Sequence, residues 1–374
     1  MRICIPQILG HRGAGLGNEL FPWAKAFLAG QVLGAHVMHP AWGLNKRRYH
    51  RDFGTGRLDW IQQGLIKSVL PVIHFDEAAY RATGKAAYGE AVAQFMASEE
   101  LDRRGGFVFL ASGMWGGFHA IQQARPFVLA ELLKARQAVA NLHATLARVR
   151  PGRALVAVHI RRGDFLNADA VGAYRGRFNV ALPLAWYLAT CSALKRDCGN
   201  RIDFLLITDA SEGEVQPFID AFHPLTTFHL RQTACSDLLS MAFADALVCS
   251  VSSYSMWGAF LSRSPYIWCA ANLQDHEGYG SLWGDEPAQQ APMGPTAINM
   301  WRSRTRARHG HVSSSGRGTP VDWSGEVPAA FTESLLARLD ERAEERDLIL
   351  YGVVPVEETA ASAASGTALG CHPP

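Results

Sequence analysis

Hydrophobic and polar positions along the chain fall into short apolar runs separated by amphipathic stretches. In the second half, Leu155 to Ile160, Phe204 to Thr208, Thr226 to Leu230, Ala246 to Ser250 and Tyr266 to Cys269 are compact runs of strand length. Between them lie helical patterns near Pro183 to Arg196, Glu212 to Phe222, Ser236 to Ala244 and Ser255 to Ser262. This alternation predicts an α/β fold with a doubly wound parallel sheet covered on both faces. The first half opens with a strand over Arg2 to Leu9, a glycine-rich turn, and a helix from about Asn18 to Gly34 with Pro22 in its first turn. Further strands are expected around His36 to His39 and over Phe107 to Leu110, and one long helix over Ala124 to Val149. Arg150, Pro151 and Gly152 punctuate the end of that helix. A boundary there divides the chain into residues 1–152, 153–300 and 301–374. The third part reads as a basic Ser/Gly linker, a charged helix over Pro328 to Tyr351 and a disordered tail.

The most informative stretch is Val156 to Asp164, VAVHIRRGD. A β-branched run suited to a buried strand passes without a turn residue into His159, Arg161, Arg162 and Asp164. Adjacent arginines on an extended segment point to opposite faces, so one can aim into a cleft while the other ties the strand end to a carboxylate, with Asp164 nearest in sequence. Other strand ends behave alike: Thr208 and Asp209 follow the second run, and Ser252, Ser253 and Ser255 follow the fourth. Ligands of open parallel sheets bind outside the carboxyl ends of the strands, so one crevice can collect all of these groups.

Bulk properties narrow the classes. The 374 residues are 48% hydrophobic and 19% charged, with a net charge of +2. So small an excess gives no general field for nucleic acid, and any anion site must come from local placement. Seven cysteines without a C-x-x-C pair read as reduced core residues of a cytoplasmic protein. No apolar run is long enough to span a bilayer. The stretch Trp301 to Gly318 places Arg302, Arg304, Arg306 and Arg308 at every second position. It reads as a linker, with peripheral contact to the inner membrane surface as the sharper alternative. The cluster NKRRYHR at Asn45 to Arg51 reads as a solvated loop, and SGMWGGF at Ser112 to Phe118 as core packing before sugar stacking.

The turn HRGAGLGNE brings backbone N–H groups to a helix start, which suits phosphate. It fails the dinucleotide fingerprint, because Asn18 stands where the third glycine is required, and a nicotinamide oxidoreductase is disfavoured. A nucleoside diphosphate fits the crevice better. Arg161 supplies a planar cation with paired donors for a pyrophosphate, His159 a donor on the same face, and Ser252 and Ser253 hydroxyls at a helix start. Asp237, either an N-cap or a reader of a guanine edge, completes the set. No D-x-D motif and no His/Cys cluster at ligand spacing is visible, so arginine takes the place of a metal at the leaving group.

VAVHIRRGDF closely resembles the H-x-RR-G-D segment of bacterial α-1,2-fucosyltransferases and, more distantly, of α-1,6-fucosyltransferases. GAGLGNELFPWAKAF is similar to that family's GGLGNQLFQYA opening, and Asp237 through Ala259, ending SSYSMWGA, to its segment ending SSFSWWGA. The resemblance implies a GT-B-like fold of two Rossmann-like domains, an acceptor-side domain over 1–152 and a GDP-fucose-binding domain over 153–300. It implies inverting, metal-independent transfer from GDP-fucose to a glycan hydroxyl, galactose O2 foremost, with lipid-linked glycans among the acceptors. On it Arg161 matches the arginine that holds the donor phosphates, His159 the motif histidine, Asp237 the guanine reader, and Ser252 and Ser253 donor contacts. Arg162 and Asp209 join the donor-binding set, and Gly15 and Asn18 fall at the interdomain cleft. Asp164 and Asp169 are the candidate bases. The stretch after Asp209 and Met256 departs from the family pattern, which bears on the acceptor more than the donor. Another sugar-nucleotide transferase and a catalytically silent GDP-binding module are the alternatives.

Overall fold

The computed structural model describes residues 1–8, 15–101, 105–163, 165–167, 180–269, 318–337 and 339. Along the first half run β1 (Arg2–Pro6), α1 (Leu16–Leu33), β2 (His36–Val37), α2 (Asp59–Val69), β3 (Val72–His74), α3 (Glu77–Ala82), α4 (Tyr88–Ser98) and β4 (Phe107–Ala111). After them come the short α5 (Gly117–Ala120), α6 (Arg125–Leu133) and α7 (Arg136–Leu146). The second half contains β5 (Ala154–Ile160), the short parallel pair β6 (Leu166–Asn167) and β7 (Val180–Ala181), α8 (Leu184–Cys198), β8 (Ile202–Thr208) and α9 (Glu212–Phe222). It continues with α10 (Ala234–Ala242), β9 (Ala246–Val248), α11 (Ser253–Ser262), β10 (Tyr266–Cys269), β11 (Gly318–Val321) and α12 (Ala329–Ala337).

Two parallel sheets result, in the strand orders β2-β1-β4-β3 and β11-β10-β9-β5-β8. The second is the parallel sheet expected from the alternation of apolar runs, and a pair of Rossmann-like sheets is the GT-B-like layout that the resemblance implies. Strand residues alternate between faces, and the packing follows that alternation. In the first sheet Ile3, Ile5, Val108 and Leu110 form a small outer cluster with Ile66 of α2. Cys4, Phe107 and Phe109 point the other way, into the main core. In the second sheet Leu155, Ala157, Leu205 and Ile207 face that same core, while Val156, Val158, Ile160, Phe204 and Leu206 face a separate one beneath α8, α9 and α12. The main core therefore lies between the sheets and is filled by α1, α4, α6, α7, α10 and α11.

Several expectations are corrected. Thr226 to Leu230 is not a strand; a single bridge, Leu205 to Leu225, is followed by a turn in which Leu230 N–H donates to the Thr227 carbonyl. The long helix breaks at Lys134 and Ala135 into α6 and α7. Helix α1 starts at Leu16, which puts Pro22 in its second turn. Residues 318–337, read as part of a linker and charged helix, supply an edge strand paired to β10 and a helix packed on α8. The basic stretch 301–317 and the tail lie outside the described residues. The six described cysteines are buried and free. Among the described residues, no helix is long and apolar enough to cross a membrane.

Candidate functional site

Strand β5 sits in the middle of the second sheet, with β8 on one side and β9 on the other. The chain leaves β5 toward β8 and later crosses back to β9, so the connections diverge at the carboxyl end of β5 and open a crevice there. A cleft of about 760 Å³ occupies that position. Of the residues expected to form the site, Gly15, Asn18, His159, Arg161, Asp209, Asp237, Ser252 and Ser253 all line it. Asp164 and Asp169 lie outside the described residues.

Arg162 is not among the lining groups. It is buried on the opposite face of the strand end, where its guanidinium donates to the Leu182 carbonyl at 2.8 Å. Its expected role at the donor is therefore corrected to a structural one. Asp209 accounts for both arginines: one carboxylate oxygen accepts the Arg162 backbone N–H at 2.7 Å, and the other pairs with the Arg161 guanidinium. Its carboxylate is thus engaged in orienting Arg161, which also lies 5.2 Å from the centre of the Phe165 ring. Gly163 is required beside it, because its φ is +31° and a Cβ there would stand 2.1 Å from an Asp209 oxygen.

His159 is 4% exposed. Its Nδ1 lies 2.5 Å from the Ser255 hydroxyl and 3.0 Å from that of Ser250. Burial, with Arg161 nearby, pushes the imidazole down to about 3, so it is neutral at physiological pH. Where a hydroxyl donates to Nδ1, the proton of the neutral ring resides on Nε2. Asp237 sits on the fourth residue of α10 and is not its N-cap; Thr233 holds that position, accepting from Ser236 N–H. Among the described residues none bonds the Asp237 carboxylate, and burial followed by the charge of Asp209 raises it to about 7. The side-chain amide of Gln232, also in the cleft wall, has no hydrogen-bond partner among them either.

Three helix starts meet at this cleft: α1 through Gly15 to Asn18, α10 through Thr233 and Ala234, and α11 through Ser252 to Tyr254. They are fastened to one another. The Ser253 hydroxyl donates to Asn18 Oδ1 at 2.7 Å, the Trp257 indole N–H to the Gly17 carbonyl at 2.5 Å, and the Tyr254 hydroxyl to the Ala234 carbonyl. Gly17 permits the close approach, since a Cβ there would lie 3.0 Å from the Tyr254 nitrogen. Each helix start carries a partial positive charge and N–H groups without intrahelical acceptors, and their convergence makes an anion site.

The opposite wall comes from the first half of the chain. Glu77, Met114, Trp115, Gly117 and Phe118 line it, so the SGMWGGF loop serves both core and cleft. Fully buried Lys25 anchors that loop. Its ammonium donates to the carbonyls of Ser112 (3.2 Å) and Gly113 (3.0 Å) and sits 3.3 Å from the Trp115 ring centre. Burial lowers its pKa well below the ordinary lysine value, and the charge of Glu77 opposes that shift. Arg47 and Tyr49, read as part of a solvated loop, also reach the cleft, with Tyr49 only 3% exposed. Among the described residues, no group of three metal-ligating side chains is present.

No protein-family model and no curated protein sequence matches the chain. Among solved structures it is similar to POFUT1 in complex with GDP-fucose, at 11% identity and a TM-score of 0.40, over 71% of this chain and 96% of that one. It is similar also to the fucosyltransferase NodZ from Bradyrhizobium, at 14% identity and a TM-score of 0.41, over 70% of this chain and 92% of that one. NodZ α-1,6-fucosyltransferase soaked with GDP-fucose gives 13% identity and a TM-score of 0.38 over the same shares. Similarity at this level leaves the ligand to be read from the residues of the cleft.

Proposed function

We propose that this protein transfers fucose from GDP-fucose to a glycan hydroxyl, galactose O2 foremost, with inversion at the sugar carbon. The observation that carries the reading is the meeting of three helix starts and the tethered Arg161 at one nucleotide-sized cleft, with Asp237 unpaired on its wall. The pyrophosphate would lie against the α1 and α11 starts and Arg161, with the His159 Nε2 proton as a further donor. The Asp237 carboxylate would accept from the guanine N1 and N2 protons, and Gln232 would complete the nucleoside contacts.

During reaction the bond from C1 to the diphosphate breaks as the acceptor oxygen attacks from the opposite face. Arg161 and the helix starts take up the charge that grows on the departing GDP, and their fixed orientation makes them effective. The wall of Met114, Trp115 and Phe118 offers apolar surface to an acceptor sugar. The base that removes the acceptor proton is sought among Asp164 and Asp169, which follow Arg161 in sequence, and Glu77 on the acceptor wall.

A GDP-release assay across a panel of nucleotide sugars, with galactosides as acceptors and linkage analysis of the product, tests the reading. Turnover with GDP-fucose above all other donors supports it. Preference for another donor would establish a different sugar-nucleotide transferase, and tight GDP binding without turnover a silent binding module.

A further inference from the structure

Helix α2 rests on the outer face of the first sheet through one side only. Gln63 is 4% exposed and donates to the His39 carbonyl at 2.7 Å, and Ile66 packs on the Ile3, Ile5, Val108 and Leu110 cluster. On the far side stand Ile61, Leu65 and Val69, with Leu58 at the helix start. At 100° per residue these four share an arc about 80° wide. They are 41%, 64%, 79% and 60% exposed. A helix lying on a soluble protein ordinarily turns polar residues outward, so a stripe of this kind marks an interaction surface.

Its surroundings are basic. Arg57 immediately precedes Leu58, and the exposed Lys46, Arg48 and Arg51 follow the turn Trp42–Leu44 that packs against α2. Residues 45–70 hold six Lys and Arg against Asp52 and Asp59, whereas the whole chain carries a net charge of only +2. After burial, Arg51, Arg57 and Arg48 are the groups that depress the nearby His50.

We propose that this face docks on an anionic lipid bilayer, the apolar stripe entering at headgroup level while the flanking arginines meet lipid phosphates. Exposed apolar side chains in a segment rich in Lys and Arg are the composition that binds such a surface. A second copy of the chain fits less well, because a two-fold contact would bring two strongly basic patches together. The same segment contributes Arg47 and Tyr49 to the cleft. The benefit to a lipid-carried acceptor rests on the transferase reading; docking itself does not.

The test uses the full chain without nucleotide, co-sedimented with vesicles of phosphatidylcholine alone or with about 30 mol% phosphatidylglycerol. The protein is expected to bind the anionic vesicles, weakly or not at all the neutral ones, and less as salt rises. The triple variant Ile61→Ser, Leu65→Ser, Val69→Ser should lower partitioning at least about tenfold. The pair Arg48→Gln, Arg51→Gln should lower it by roughly ten- to thirtyfold. Circular dichroism and GDP affinity are measured on every variant, and all are solvent-facing changes that leave both intact. Absence of binding to either vesicle, undiminished binding by the triple variant, or a dimer that the triple variant dissolves in sedimentation velocity would each overturn the proposal. Failure of all forms to bind GDP would instead count against the transferase reading alone.

Discussion

At the scale of single residues, the cleft separates groups that hold the ligand from groups that hold those groups. On the proposed reading Arg161 belongs to the first kind, and Asp209, which pairs with it, to the second. Arg161→Ala is expected to cut transfer by about 10²- to 10³-fold, the usual loss for one preorganised charge-stabilising donor. Its circular dichroism should match the parent, and steady-state GDP release is the readout. Asp237 gives a pH signature. With its carboxyl raised from 3.8 to about 7, the free protein carries much of it protonated below neutrality, and a protonated acid cannot accept two guanine donors. GDP affinity should therefore weaken about tenfold from pH 8 to pH 6, and calorimetric titration should show proton release on binding near pH 7. Asp237→Asn should bind GDP more weakly and without that slope. The sign for folding is opposite: a raised folded-state value favours the fold at low pH, and that contribution is lost as pH climbs from about 4 through 7. His159 has the opposite sign: held down at about 3 when folded against 6.5 when unfolded, it stays neutral in the fold while the unfolded chain takes up a proton, so its contribution grows as pH climbs from about 3 through 6.5.

At the scale of elements, α1 and α11 decide the geometry of the anion site, and they do so through contacts between residues 235 or more positions apart. Gly17→Ala places a methyl 3.0 Å from the Tyr254 nitrogen and 3.1 Å from the Ser253 hydroxyl. Overpacking there costs about 1–3 kcal/mol, set against the ~1 kcal/mol that alanine gains over glycine in a helix. GDP affinity should accordingly fall several-fold while the melting temperature changes little. Gly64→Ala in α2, where no atom lies within 4 Å, should only stabilise. Much of this was legible in the sequence. The strand ends carrying His159, Arg161, Asp209 and Ser252 stood out because an apolar run gives way to polar residues without a turn. The opposed directions of Arg161 and Arg162 followed from the pleat, but their shared partner proved to be Asp209, which belongs to a neighbouring strand. Pairings of that kind leave no local trace. The break at Ala135 carries neither glycine nor proline, so periodicity ran through it. The segment 226–230 has strand composition but joins no strand, the Leu205 to Leu225 bridge lying just before it.

For the molecule as a whole, the main core belongs to both sheets. Phe21, Phe118 and Trp257 pack as a trio with ring centres 4.8–5.0 Å apart, drawing on α1, α5 and α11. Buried Arg125 of α6 donates to the Phe260 and Leu261 carbonyls at the far end of α11. Halves joined this way should not melt separately. Differential scanning calorimetry is expected to give one endotherm, moved upward by saturating GDP through mass action, about 2.7 kcal/mol at a hundredfold excess over Kd. Two resolved endotherms, with only the later one responding to GDP, would show independent units.

The bond between Trp257 and Gly17 has a kinetic corollary. On the proposed reading, a jaw riveted at its inner end would have little play, and the spent nucleotide would have to slide out between its walls. Its exit rate would then track how firmly Arg161 grips the phosphates, and a variant that loosens that grip would speed departure even as it slows the chemistry.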